Sequence, residues 1–101
     1  MTISRIVTHH PQMLEDLRWW LNHDPELGRK VVELIEETSA HPESGHGRPK
    51  RLHSLPNVWS RRITHHHRLF YLLDGELLFI SCRDHDMPQH IHEALRLEEL
   101  V

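Results

Sequence analysis

A single cysteine, Cys82, stands among the 101 residues, so no internal disulfide can brace the chain, which fits a reducing compartment. A lone thiol of this kind is expected as a small buried hydrophobe rather than a nucleophile. Apolar runs never approach the roughly 20 residues that cross a bilayer. The opening MTISRIVTHHPQM lacks the apolar stretch of a secretion signal. A cytoplasmic protein with no membrane role is expected. Disorder is excluded by composition: 38% hydrophobic and 27% charged residues suit one globular domain, which at this length buries roughly two thirds of its unfolded surface around one core.

Acid is missing locally. Residues 45–71 hold Arg48, Lys50, Arg51, Arg61, Arg62 and Arg68 and not one Asp or Glu. The flanks are acidic, with eight acids against four bases over residues 1–44 and seven against two over residues 72–101. The net charge of −3 therefore hides a basic island. It is either a site that attracts a polyanion or a solvated surface that pairs with acidic helices.

The β-branched run ISRIVT, residues 3–8, predicts a short strand. Pro11 opens a helix through about residue 22, with Met13, Leu14, Leu17, Trp20 and Leu21 at helical spacing. Asp24 as N-cap, Pro25 at the first position and Glu26 in the first turn start a second helix, whose stripe is Leu27, Val31, Leu34 and Ile35. HPESGHGRP, residues 41–49, carries two prolines and two glycines and reads as a loop. A strand over about 58–64 precedes a hairpin turning at Asp74-Gly75. After Pro88 a short helix is allowed through about residue 99, with Ile91, Ala94, Leu95 and Leu97 or Glu98 as its stripe. The fold class is α+β, β-α-α-β-β-β: an antiparallel sheet with both N-terminal helices on one face and a C-terminal helix appended.

A two-residue turn at Asp74-Gly75 sets Leu73 against Glu76 and Phe70 against Phe79. One face then carries Leu69, Tyr71, Leu73, Leu78, Ile80 and Cys82 toward the helices. The other carries Arg68, Phe70, Leu72, Leu77, Phe79, Ser81 and Arg83, with His85 next in line. A three-residue turn over His65, His66 and His67 brings Arg62 to that second face beside Arg68, whereas a two-residue turn brings Arg61. Phe70, Leu72, Leu77 and Phe79, exposed there, need covering by a dimer mate, another protein or RNA.

Guanidinium groups grip phosphate oxygens through paired hydrogen bonds and stay charged at any working pH. Histidine exchanges a proton near neutrality, and exposed aromatic rings accept unpaired bases. Such a face suits RNA cleavage in which the neighbouring 2′-hydroxyl attacks the phosphate, arginines stabilise the added charge and an acid protonates the leaving 5′ oxygen. No metal or cofactor is expected. His65, His66 and His67, with His9, His10, His90 and His92, lack a second cluster at fixed ligand spacing, and consecutive histidines on a strand point to opposite faces.

WSRRITHHHRLFY, DGELLFISCRDHD and the upstream SGHGRPKRL resemble the corresponding blocks of the YoeB (Txe) toxins, RelE-like messenger-RNA interferases of toxin–antitoxin pairs. The resemblance is specific over about residues 45–86 and looser over 11–44. It implies a microbial-RNase-type toxin over residues 1–86, with 87–101 an extension. Such a toxin enters the A site of the 70S ribosome, cuts the bound messenger, is neutralised by an antitoxin of the YefM/Axe type and is expected to dimerise. By position, Arg62 and Arg68 match the family's phosphate-stabilising arginines and His85 its general acid. Arg48, His53, Arg61 and Arg83 complete the expected RNA-binding set, with a structural or antitoxin-facing role as the alternative for Arg61. Two positions depart. In GRPKRLH Lys50 stands where the family's GKPEPLK carries a glutamate general base, and Asp86 replaces a terminal tyrosine. Lys50 acts there through its charge or, when deprotonated, as a base; His53 is the other candidate base. These departures also support a second reading, a toxin-like module that binds RNA or an antitoxin without cleaving.

Overall fold

A computed structural model describes residues 5–99. The elements in chain order are β1 (Val7–His9), α1 (Pro11–His23), α2 (Pro25–Ala40), β2 (Lys50–Arg51), β3 (Val58–Arg62), β4 (Arg68–Asp74), β5 (Glu76–Ser81) and α3 (Gln89–Glu99). The α+β class stands. β3 to β5 pair antiparallel as expected; β2, a two-residue strand the sequence does not signal, pairs antiparallel with β3, and β1 joins β5 in parallel, so the five-stranded sheet is mixed, in the order β1-β5-β4-β3-β2. The first strand is shorter than predicted from its β-branched run, and Ile3 and Ser4 lie outside the described residues.

Both N-terminal helices begin where their caps dictate. His10 Nδ1 accepts from Gln12 N (3.0 Å) ahead of α1, and Asp24 Oδ1 accepts from Leu27 N (3.1 Å) ahead of α2. Each satisfies an amide that the helix leaves unpaired. Asp24 N also donates to Trp20 O (2.8 Å), so one residue ends α1 and starts α2. Their apolar stripes press Met13, Trp20, Val31 and Leu34 onto Leu69, Tyr71, Leu77, Phe79 and Cys82.

Inside that layer Asp16, 4% exposed, accepts from Cys82 N (3.0 Å) and Gln12 Nε2 (2.8 Å), and Trp20 Nε1 donates to Cys82 O (2.7 Å). The strand end leading to His85 is thus pinned to α1 at both backbone groups of Cys82. Removing one partner leaves a buried donor unsatisfied, so Asp16→Ala should cost about 1–3 kcal/mol of unfolding free energy. Urea titration checks this; an unchanged midpoint would show the pin to be inert. The Cys82 thiol itself is buried and unpaired, and desolvation pushes its pKa up, which fits an inert packing role.

The β4–β5 register differs from the predicted one. Asp74 pairs with Glu76 across Gly75 alone (φ 75°), Leu73 with Leu77 and Tyr71 with Phe79, and a bulge then sets Phe70 against Ser81. One residue of slip exchanges the faces of β5. Leu77 and Phe79 lie under the helices, while Leu78 and Ile80 share the second face with Phe70 and Leu72. Phe70 and Phe79 therefore do not form an exposed stacking platform, being 3% and 0% exposed.

That second face is covered by the chain's own C-terminal segment: Met87, just before α3, and Ile91, both buried, pack with Leu95 on Phe70, Ile80, Leu72 and Leu78. Ser54 Oγ and His92 Nε2 (3.2 Å) tie the helix to the β2–β3 loop. The expected need for a partner over Leu72, Leu77, Phe70 and Phe79 is overturned accordingly. The proposed end of the α3 stripe at Leu97 or Glu98 lies outside the described side chains. Among the described residues, the large apolar side chains that reach solvent are Ile6 and Val7, at the start of β1, and Leu14 and Leu21 on α1. Among the described residues no helix is long and apolar enough to cross a membrane.

Candidate functional site

The site is assembled at one end of the sheet. Arg62 and Arg68 are direct cross-strand partners, which sets their Cα atoms about 4.5–5.5 Å apart with side chains on one face. The three-residue-turn alternative predicts both arginines on one face, which holds, but not this direct pairing, because the connection, residues 63–67, is longer. Ile63 N donates to His67 O (2.9 Å) and His67 N to Thr64 O (3.4 Å), so the turn centres on His65 and His66 rather than on all three histidines. Arg68 N then donates to Asp84 O (3.2 Å), drawing residues 83–86 against the arginine pair. His85 follows immediately, exposed, with Nδ1 3.5 Å from Asp86 Oδ1.

Lys50 completes the face. It pairs with Ser60, which pairs with Phe70, so the Lys50–Ser60–Phe70 row adjoins the Arg62–Arg68 row on the same side of the sheet. Arg48, exposed, stands two residues earlier, where Arg62 N donates to Gly47 O (2.7 Å). Four of the residues singled out from sequence, Lys50, Arg62, Arg68 and His85, thus occupy one neighbourhood with Arg48 at its margin. Arg62 Nη2 donates to His65 Nδ1 (3.3 Å), which brings a further imidazole to the rim.

The other three residues fall elsewhere. His53 lies in the β2–β3 loop, beyond Leu52, whose amide bonds Val58 O. Val58 is the far end of β3 from Arg62, about 13 Å away at ~3.3 Å per residue. Arg83 is exposed but points to the helix side, its guanidinium 4.1 Å over the Trp19 ring, against which His23 also stacks. Arg61 is fully buried, with Nη2 donating to His41 O and Ser44 O, Nη1 to His46 O and Nε to Tyr71 Oη. Burial removes Arg61 from the RNA-binding set in favour of the structural alternative. Glu37, which no sequence signal marked, faces it at 3.8 Å.

Two groups near the site have displaced titrations. The amide of His46 donates to Glu37 (2.8 Å) and holds its carboxyl below the usual range, with the His46 ring and Arg61 adding to the effect. Burial pushes the His67 pKa down, His66 and Arg83 assist, and Asp84 opposes them. His67 packs edge-on to Trp20 and bonds Thr64 Oγ1 (2.6 Å). A depressed imidazole pKa means that the unfolded chain takes up the proton first as pH falls. Stability contributed by neutral His67 is therefore complete above about 6.5 and lost as pH drops toward the lower native value. Unfolding free energy should fall less between pH 7.5 and 5 in His67→Gln than in the parent; equal slopes would contradict this.

Among the described residues no group of three or more His, Cys, Asp or Glu side chains is placed to hold a metal ion. A groove of about 370 Å³ beside the site is lined by Lys30, Glu33, Glu37, His46, Gly47 and Arg62. Its mixed charges do not by themselves name a ligand.

A family described as YoeB-like toxin of bacterial type II toxin-antitoxin system matches residues 9–86. Toxin YoeB of Escherichia coli is 42% identical over 73 residues, 70% of this chain and 87% of that protein. The YoeB dimer from Staphylococcus aureus superposes with a TM-score of 0.72 at 32% identity, covering 83% of this chain and 100% of that one. The toxin of a YoeB–YefM complex from the same organism gives 0.68 at 30% identity, with the same coverage. The family match ends at Asp86, immediately before the segment that forms α3.

Proposed function

The chain belongs to the YoeB-like toxins of bacterial type II toxin–antitoxin systems, and from that membership we propose that it is a cytoplasmic, metal-independent endoribonuclease that cuts messenger RNA in the ribosomal A site. The observation that carries the reading is the convergence of Arg62 with Arg68 across β3–β4 and of Arg68 with the Asp84–His85 turn. In the reaction the 2′-hydroxyl gives up its proton, to water or to Lys50 when that amine is deprotonated, as its oxygen attacks phosphorus, and Arg62 and Arg68 hold the added negative charge on the phosphoryl oxygens. His85 delivers a proton to the departing 5′ oxygen, leaving a 2′,3′-cyclic phosphate. Lys50 adds positive charge from β2.

Induced expression tests the reading: it should arrest growth and produce messenger cuts phased with codons. Growth without cleavage would overturn it and favour the non-cleaving module, for which Lys50 and Asp86, in place of the family's glutamate and tyrosine, are the specific support. The geometry also ranks the two candidates for the glutamate's place. Lys50→Ala should lower cleavage on programmed ribosomes by about tenfold or more, as loss of a charged contact does, while His53→Ala leaves the rate unchanged. The reverse order would show that the β2–β3 loop, rather than β2, reaches the substrate.

An antitoxin of the YefM type and a homodimer are the proposed protein partners, by likeness to the S. aureus assemblies. Residues 1–86 are proposed as the toxin domain and 87–101 as an extension.

A further inference from the structure

We propose that Arg61 and Glu37 are positioning residues: together they clasp residues 41–48 in the conformation that sets Arg48 and Lys50 beside Arg62. The functional consequence rests on the nuclease reading above, whereas the clasp itself does not. Residues 41–48 form neither helix nor strand, so their carbonyls must find partners outside the regular ladders. Three of them find the same guanidinium. Arg61 donates to the carbonyls of His41, Ser44 (2.8 Å) and His46 (3.2 Å), and Tyr71 Oη, itself held by Arg61 Nε (3.2 Å), donates to Pro42 O (2.6 Å).

Glu37 closes the clasp from α2, accepting from His46 N (2.8 Å) and from His46 Nδ1 (2.9 Å) while it faces Arg61 Nη1 at 3.8 Å. A buried guanidinium is tolerated only when its donors and its charge are all met. Here the loop meets the donors and Glu37 the charge, so arginine and loop order each other. The planar fork is essential, because a lysine has three donors on one point and cannot span carbonyls from three residues.

The loop sequence is cut to this fit. Gly45 (φ 115°) leaves room where a Cβ would lie 1.9 Å from Glu37 Oε1, and Gly47 (φ 82°) where one would lie 2.8 Å from Arg62 O. Arg48 follows in the left-handed region at φ 52°, a strained state for a side-chain-bearing residue that persists only where its surroundings over-determine it. The clasp ends at the Gly47 O to Arg62 N bond, and the chain emerges from it as Arg48 and Lys50. After Arg68, its cross-strand partner, these are the basic side chains beside Arg62: Lys50 through its pairing with Ser60, and Arg48 next to the Gly47 carbonyl that accepts from Arg62 N.

Amide hydrogen exchange and single-turnover cleavage, measured on Glu37→Gln and Arg61→Lys in the full chain, test the assignment. Glu37→Gln keeps an acceptor for His46 N but removes the counter-charge. We expect amides of residues 44–48 to exchange about tenfold faster or more in either variant, with those of Leu69 to Leu72 unchanged. Cleavage should slow by a similar factor in Glu37→Gln, and that factor should vanish when Glu37→Gln is placed in an Arg48→Ala/Lys50→Ala chain, because a positioning residue acts through what it positions. Unaltered loop exchange in both variants, or an equal loss of cleavage with and without Arg48 and Lys50, would overturn the proposal. Should the parent protein fail to cleave at all, the nuclease reading falls, and the exchange data alone decide whether the clasp exists.

Discussion

Arg62→Ala should fold like the parent and cleave ribosome-bound messenger about 10²–10³-fold more slowly, the loss that follows removal of one preorganised donor from a developing oxyanion. The side chain is exposed and its partner in the hairpin turn, His65, is exposed too, so no core packing depends on it and stability should change little. Arg68→Ala should lose a comparable factor. The two arginines face each other across one strand pair and in this reading clasp one phosphate. The double variant should therefore fall short of the product of the single losses, since groups acting as a unit are non-additive. A strictly multiplicative double loss would mean that they serve separate phosphates.

Ile91→Ala should cost about 2–5 kcal/mol, the usual range for truncating a buried isoleucine. Ile91 is 5% exposed and sits with Met87 on Phe70, Ile80, Leu55 and Val58. A domain of this length shifts by roughly 4–8 °C for each kcal/mol, so the melting temperature should fall by about 8 °C or more. Calorimetry or circular dichroism reads this directly. A shift within error would mean that α3 is undocked in solution, leaving the second sheet face in need of another cover.

The register error and the misread second face have one physical cause. ELLFIS, residues 76–81, is nearly continuously apolar, as strands covered on both faces are. Alternation therefore carried no information about which residues point where, and the register hung on the turn alone. There Asp74-Gly75 predicts a two-residue turn, but Gly75 turns the chain by itself, and a bulge between Phe70 and Tyr71 shifts the register by one more residue. The same continuity of apolar residues was the signal that something covers the second face, and Met87, Ile91 and Leu95 were the available stripe.

Elements governed by local chemistry were legible. Pro11 and the Asp24-Pro25 pair start α1 and α2 where capping rules place them. The proline- and glycine-rich 41–49 segment is the loop it should be, apart from the first β2 contacts just beyond it. Arg62 with Arg68 was readable because a hairpin joined by an odd number of residues brings that pair to one face.

What Arg61 and Arg83 do was not readable, since nothing local distinguishes Arg61 from Arg62 or tells Arg83 to lie on Trp19. Those assignments depend on contacts from α1, α2 and the 41–48 loop, distant in sequence. The one local hint was SGHG, whose glycines mark a segment packed tightly against something; Glu37 and the backbone of Arg62 turn out to be that something.

The division of labour between guanidinium and imidazole is tested most directly by single-turnover cleavage of a messenger whose scissile 5′ oxygen is replaced by sulfur, a leaving group that needs no proton. On the natural messenger His85→Ala should lose about 10²–10⁴-fold, the range for a general acid. On the sulfur-substituted messenger it should recover nearly the parent rate, while Arg62→Ala and Arg68→Ala stay slow. If His85→Ala remains as slow on the sulfur substrate as on the natural one, or the arginine variants recover with it, the residues do not act as described.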